Sequence, residues 1–330
     1  MIKAIIIGIV LLGLVLAAYA LVLYVVPVDL GDRVVSVIIE PGDSFERVAS
    51  RLVDSGVVRS GAMLRYPAQF RGIDRKLTPG RYDFTGENSC RSVLGKLERG
   101  DVVTIRVTIY EGAPIWRVAS VLAQRLGLDS AEVVRLNADS AFLTEVGKKC
   151  LEGYLFPETY FIRWGTPVRD ILKEMVAMYH TKTDSVWRQD VPNNLSREEV
   201  IILASIVEAE ALVNDEKPQI ASVYHNRLGR KMKLDADPTV IYGLGGLNRP
   251  LLKSDLERDS PYNTYRRRGL PPTPINSPGL DAIRSVLHPA LTDYLYFVAD
   301  GSGKHRFSRT NDEHNRARRE IRRALPQPGS

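Results

Sequence analysis

Cysteine is nearly absent: Cys90 and Cys150 are the two thiols in 330 residues. That number and spacing form no zinc-type ligand set, and no HExxH pattern accompanies the five histidines. His305, His314 and Asp300 lie close in sequence but match no standard metal spacing, so neither a metal nor a cofactor is expected. An oxidising compartment would permit a Cys90–Cys150 bridge, and the sequence leaves that open. Acidic excess is also missing, since the formal net charge is +6. No nucleic-acid motif goes with the positive charge, which excludes nucleic acid as the expected partner. Part of the excess sits in Arg316, Arg318, Arg319, Arg322 and Arg323. Such a cluster reads as a solvated helix face or as a contact for anionic lipid or an acidic polymer.

Charge itself is missing from Ala4–Val26, which as a helix would span about 34 Å, enough for a bilayer core. Ala18-Tyr19-Ala20 has the form of a signal-peptidase site. The apolar run continues through Leu21–Val26, however, and this favours a retained anchor over a cleaved signal. Lys3 favours a cytoplasmic N-terminus. Residues 1–28 are therefore expected to be a cytoplasmic tip and single transmembrane helix, with the body outside the cytoplasm.

A repeat follows. Val37-Ile38-Ile39-Glu40-Pro41-Gly42 matches Val107-Thr108-Ile109-Tyr110-Glu111-Gly112, and Arg47-Val48-Ala49-Ser50 matches Arg117-Val118-Ala119-Ser120, both at an offset of about 70 residues. Each copy opens with alternating β-branched residues, breaks at glycine, and continues with apolar residues at helical spacing. Ser44 is the expected N-cap of the first helix. Gly80–Phe84 reads as a returning strand, and Asn88–Arg99 as a helix with Val93, Leu94 and Leu97 inward. Residues 33–150 thus form a βαα(β) region. Its strand–Pro-Gly-Asp–helix opening resembles a LysM-like module, and that resemblance implies binding to N-acetylglucosamine polymers. A ligand-free spacer is the alternative.

The well-marked helix of the C-terminal part begins at Ser196-Arg197-Glu198-Glu199, the spacing of a capping box. Val200, Leu203, Ala204, Val207 and Ala211 give it one apolar face. Glu208 lies roughly 60° from the centre of that stripe and Glu210 roughly 100°. A carboxyl at the stripe edge is partly desolvated, which raises its pKa and suits it to general acid work. A surface Glu paired with a Lys or Arg would look the same in sequence. Loops dense in Tyr, Asn, Thr and Pro follow, of a kind that can wall a sugar site.

Several segments together carry a close resemblance. They are Leu151-Glu152-Gly153-Tyr154-Leu155-Phe156-Pro157-Glu158-Thr159-Tyr160, Ala204-Ser205-Ile206-Val207-Glu208, Asp237-Pro238-Thr239-Val240-Ile241-Tyr242-Gly243, Tyr262-Asn263-Thr264-Tyr265 and Gly269-Leu270-Pro271-Pro272. His288-Pro289, Tyr294–Ala299, His305 and Phe307 continue them. The whole chain resembles the YceG-like endolytic murein transglycosylases. The resemblance implies an α+β protein with a catalytic domain over 151–326. Its substrate would be peptidoglycan, cut at the β-1,4 bond between N-acetylmuramic acid and N-acetylglucosamine to leave 1,6-anhydro ends. It places the catalytic acid at Glu208 and leaves the role of Glu210 open, with the weaker effect expected there. Asp237, Thr239, Tyr242, Tyr262, Asn263 and Tyr265 are expected to shape the sugar site. The implied location is the bacterial plasma membrane, with cell-wall synthases as candidate partners. The alternative is a silent wall-binding scaffold that recruits such synthases.

Overall fold

The computed structural model describes residues 2–188 and 191–324. The expected domain end at 326 lies outside them. The chain is α+β, and its packing divides it into two compact units. The first contains residues 1–106 and 161–166, and the second residues 107–160 and 167–330.

The first unit opens with α1 (Ile2–Val25). Its residues Ile5–Val25 are long and apolar enough to cross a membrane, and none of that span is buried. Next come β1 (Val28–Asp29), β2 (Val35–Ile39), α2 (Phe45–Asp54), α3 (Ala62–Arg71), β3 (Gly80–Phe84), β4 (Glu87–Asn88) and α4 (Cys90–Arg99). β2 and β3 pair antiparallel, Val35 opposite Phe84 and Ile39 opposite Gly80. The β-α-α-β order read from the first repeat copy is therefore present. Ser44 caps α2 by accepting from the Arg47 N–H. Period-two alternation places Val37, Ile39, Tyr82 and Phe84 on the face that covers α2 and α4, where Val48, Leu52, Val93, Leu94 and Leu97 meet them.

β5 (Thr104–Thr108) and β6 (Thr159–Arg163) pair with each other, and the division between the units runs through both. The division thus falls inside the span 33–150 outlined by the repeat. From Val107 onward the second copy packs in the second unit: α5 (Ile115–Leu126), α6 (Ser130–Leu136) and α7 (Ser140–Glu145). After β6 come α8 (Val168–Thr183), α9 (Arg197–Glu210), α10 (Lys217–Gly229), α11 (Asp237–Gly243), α12 (Lys253–Leu256) and α13 (Leu280–Leu287). The antiparallel hairpin β7 (Tyr296–Ala299) and β8 (His305–Ser308) precedes α14 (Asn311–Ala324).

α9 is the axis of the second unit. The capping box at Ser196 forms as the sequence predicts, Ser196 Oγ accepting from the Glu199 N–H and Glu199 returning to the Ser196 N–H. Every residue from Val200 to Val207 is buried, because α10, α11 and α13 all pack on the helix. This departs from the expected single stripe. Exposure returns in the last turn, at Ala209, so the exposure of the last carboxylates cannot be read from the periodicity of the buried stretch.

Both cysteines are free thiols: Cys90 lies in the core of the first unit, and Cys150 is half-buried in the second. Burial pushes the Cys150 thiol up to about 11.

Candidate active site

The last turn of α9 sends its two glutamates to opposite sides, since residues two apart on a helix diverge by about 200°. On one side Glu208 is clamped. Its Oε1 accepts from Lys217 Nζ at 2.8 Å, and its Oε2 accepts from the Gly279 N–H at 2.9 Å. The Glu208 side chain is 8% exposed and that of Lys217 1%. The sequence suggested a carboxyl held protonated by apolar neighbours. Its neighbours are two N–H donors, one from a side chain and one from the backbone.

Glu111 joins this cluster from the turn before α5, with Oε2 at 3.7 Å from Lys217 Nζ. Burial, then the negative charge of Glu208, raises the Glu111 pKa, with Lys217 opposing. Gly279 makes the arrangement possible, because a Cβ there would lie 1.9 Å from Glu111 Oε1. The segment 275–279 is laid along α9 by Ser205, whose Oγ accepts from the Ile275 N–H while its carbonyl accepts from Asn276 Nδ2. A backbone bridge between Ala113 and Ser277 fixes the turn that carries Glu111.

On the other side Glu210 opens onto a cleft of about 520 Å³. Tyr224, Arg227, Asp237, Tyr265, His305 and Arg318 also line it. Burial raises the Glu210 carboxyl to about 7, with the hydrogen bond from Tyr224 Oη (3.0 Å) opposing that rise. A carboxyl with this poise is a proton donor or acceptor near neutral pH. The groups of the cleft wall are hydrogen-bonded to one another and to the backbone. Tyr265 Oη donates to Asp237 Oδ1 at 2.6 Å. Arg227 donates to the carbonyls of Leu234 and Leu295 and faces the Tyr296 ring. His305 is held by Glu216, through Nδ1 at 2.8 Å and the backbone N–H at 2.9 Å. His305 is thus tied to a carboxylate.

The residues expected around a sugar separate into three groups. Asp237 and Tyr265 line the cleft with Glu210. Thr239 and Asn263 are buried and hold loops. Thr239 Oγ1 donates to the Ala236 carbonyl, and Asn263 Nδ2 donates to the carbonyls of Leu256 and Arg258. The Tyr242 and Tyr262 rings meet at 4.9 Å, tilted by 59°, and lie outside the cleft lining.

Behind Tyr242 lies a carboxyl that periodicity could not single out. Glu152 is 2% exposed. Its Oε2 accepts from the Tyr242 hydroxyl (2.9 Å) and the Ile115 N–H (3.1 Å), while its Oε1 is buried without a partner. Burial raises it to about 7. Gly153 follows at φ +84°, where a Cβ would come within 2.5 Å of Pro274. The signal for Glu152 was its place in Leu151–Tyr160. Lys217 carried no such signal.

Glu152 has a consequence for stability. Its folded pKa of about 7 exceeds the ordinary value of 4.5, so the native state retains a proton that the unfolded chain releases. The contribution is complete below about pH 4.5 and is lost as pH rises through 7, on the order of 3 kcal/mol in total. Glu152→Gln should therefore flatten the decline of the thermal midpoint between pH 5 and 8. An equally steep decline in the variant would contradict this.

Comparison with known proteins adds the following. The model of the YceG-like family matches residues 37–320. An endolytic murein transglycosylase of Bacillus subtilis (strain 168) is 32% identical over 302 residues, covering 86% of this chain and 84% of that protein. One of Streptococcus pneumoniae serotype 2 (strain D39 / NCTC 7466) is 29% identical over 326 residues, covering 88% of this chain and 59% of its own length. The crystal structure of a YceG-like protein from Listeria monocytogenes is similar with a TM-score of 0.61 at 30% identity, over 86% of this chain and 98% of that one.

Proposed function

The chain belongs to the YceG-like family, and from that premise we propose that it is an endolytic murein transglycosylase with Glu210 as its acid and base. The observation that carries the assignment is the cleft: Glu210 opens onto it with a proton held to about pH 7, whereas Glu208 is clamped by Lys217 and Gly279. The substrate is the glycan strand of peptidoglycan, and the bond cut is the β-1,4 link from N-acetylmuramic acid to N-acetylglucosamine.

Protonated Glu210 gives its proton to the glycosidic oxygen as the C1–O bond breaks. Charge builds at C1 in an oxocarbenium-like state. The sugar's own C6 hydroxyl then closes on C1, and its proton passes to the Glu210 carboxylate. Glu210 ends as it began, the product carries a 1,6-anhydro end, and no water is consumed. Tyr224 orients the carboxyl through its hydroxyl. Asp237 and Tyr265, already joined by a hydrogen bond, present fixed polar groups to sugar hydroxyls. Preorganised partners of this kind need no rearrangement as charge develops.

The apolar helix Ile5–Val25 supports a single membrane anchor at the plasma membrane, with the enzymatic body outside the cytoplasm. The β-α-α-β unit of the first repeat copy supports a glycan-holding role for that region.

Mass spectrometry of glycan strands digested by the full chain tests the reaction. Anhydro ends are expected, one water lighter than reducing ends. Reducing ends would indicate a hydrolase, and binding without cleavage would return the scaffold alternative. The pH dependence follows from the same carboxyl. The acid must be protonated, so kcat should fall as pH rises through about 7. A kcat that climbs steadily from pH 6 to 9 would count against Glu210.

A further inference from the structure

Trp116 lies on the first turn of α5, 37% exposed. Its ring is 5.0 Å from that of Tyr242, tilted by 31°, and Tyr242 in turn is 4.9 Å from Tyr262. Three partly exposed rings from three separate segments thus form a continuous aromatic surface. The two tyrosine hydroxyls are turned away to fixed partners, Tyr242 to Glu152 and Tyr262 to Thr273 Oγ1 at 2.8 Å. The rings, and not the hydroxyls, are what this surface offers.

Its support is unusual for simple packing. Glu152 is buried with one oxygen unpartnered and the other fixing both the Tyr242 hydroxyl and the N–H that opens α5. A desolvated carboxyl with an unmet acceptor is costly, and a core built for stability alone would not hold one. Such departures gather where a surface is positioned for use. The same residue sets the place of Tyr242 and of the turn that carries Trp116.

We propose that Trp116, Tyr242 and Tyr262 are a sugar-stacking subsite for the glycan strand, distinct from the cleft around Glu210. The inference rests on the murein reading for the class of ligand. The electron-rich face of an aromatic ring attracts the C–H face of a pyranose, and Trp and Tyr supply that face with little entropy to lose. α11 links the subsite to the cleft: Asp237 lines the cleft, and Tyr242 follows five residues later, about 7.5 Å along the helix axis. The subsite therefore grips a ring away from the bond being cut, so its contribution is to strand binding more than to the chemical step.

The test uses the full chain in detergent micelles with purified glycan strands and with an N-acetylglucosamine hexamer as the binding probe. Trp116→Ala should raise KM for strands about tenfold and move kcat much less, and Trp116→Tyr should recover most of the loss. With Trp164→Phe and Trp187→Phe in place, the remaining indole should report hexamer binding by a saturable fluorescence change. An unaltered KM in Trp116→Ala together with an indole blind to the hexamer overturns the subsite. Failure of the murein reading looks different: no anhydro product from any variant, while the indole still reports the hexamer. A loss in Trp116→Ala that Trp116→Tyr does not recover, accompanied by a lowered thermal midpoint, also overturns it, since that marks a packing role.

Discussion

Glu210→Gln should reduce anhydro-product formation by roughly 10²–10⁴-fold, the span of general acid–base catalysis, with a sole acid and base at its upper end. The swap preserves size and leaves Tyr224 able to donate to the side-chain oxygen. It removes the proton that burial holds to about pH 7. Fold and strand binding should persist, the first read by circular dichroism and the second by co-sedimentation with insoluble wall. Glu208→Gln is the informative companion. It keeps an acceptor for either Lys217 or the Gly279 N–H but loses the charge, so its damage should appear as lost stability with kcat less affected than in Glu210→Gln. The reverse order of kcat losses, at equal folded fraction, would transfer the acid's role to Glu208.

Lys217→Met should destabilise the second unit by about 3–5 kcal/mol, because it leaves Glu208 as an uncompensated buried charge. Lys217 is 1% exposed and also faces Glu111, so its ammonium is shielded from solvent. Pairing the change with Glu208→Leu should recover much of the loss, since an apolar pair of similar volume is often neutral beside a buried ion pair. Denaturant unfolding of the two variants gives the comparison. A Lys217→Met midpoint within error of the parent chain would show that the pair contributes nothing to stability.

Much of the local structure was legible because its determinants are local. Ser44 and Ser196 sit where side-chain oxygens meet free helix N–H groups. Alternation in Val35–Ile39 and Gly80–Phe84 specifies two half-buried strands. The repeat predicts the order of elements in each copy. It could not show where the second copy packs, because α5 and α6 present apolar faces of the same kind as α2 and α3, and sequence does not name their partners.

The candidate site was legible by region, whereas periodicity alone does not decide between its two glutamates. Periodicity assigned Glu208 to the edge of a stripe, whereas Val200 to Val207 are all buried and exposure returns only in the last turn, at Ala209. What separates the two glutamates is long-range: Lys217 and Gly279 on one side, Tyr224 and the cleft on the other. Thr239 and Asn263 belong to segments that shape the wall, but their polar atoms are occupied in holding those segments. Glu111, Glu152 and Lys217 act through partners distant in the chain, for which spacing gives no sign.

Helix C-termini ordinarily fray, because their last carbonyls lack intrahelical donors and their dipole ends negative. α9 ends at Glu210 with no basic residue of its own in the last turn. Lys217, from the start of the next helix, supplies the missing cation through Glu208 and fastens that turn to α10, while the Gly279 N–H fastens it to the segment before α13. Opening the turn would mean exposing a buried ion pair, so the end of α9 takes its resistance to local unfolding from the body of the unit. In the proposed reaction, a carboxyl two residues beyond Glu208 would then meet the strand from a fastened turn, with little ordering left to pay for as the proton moves.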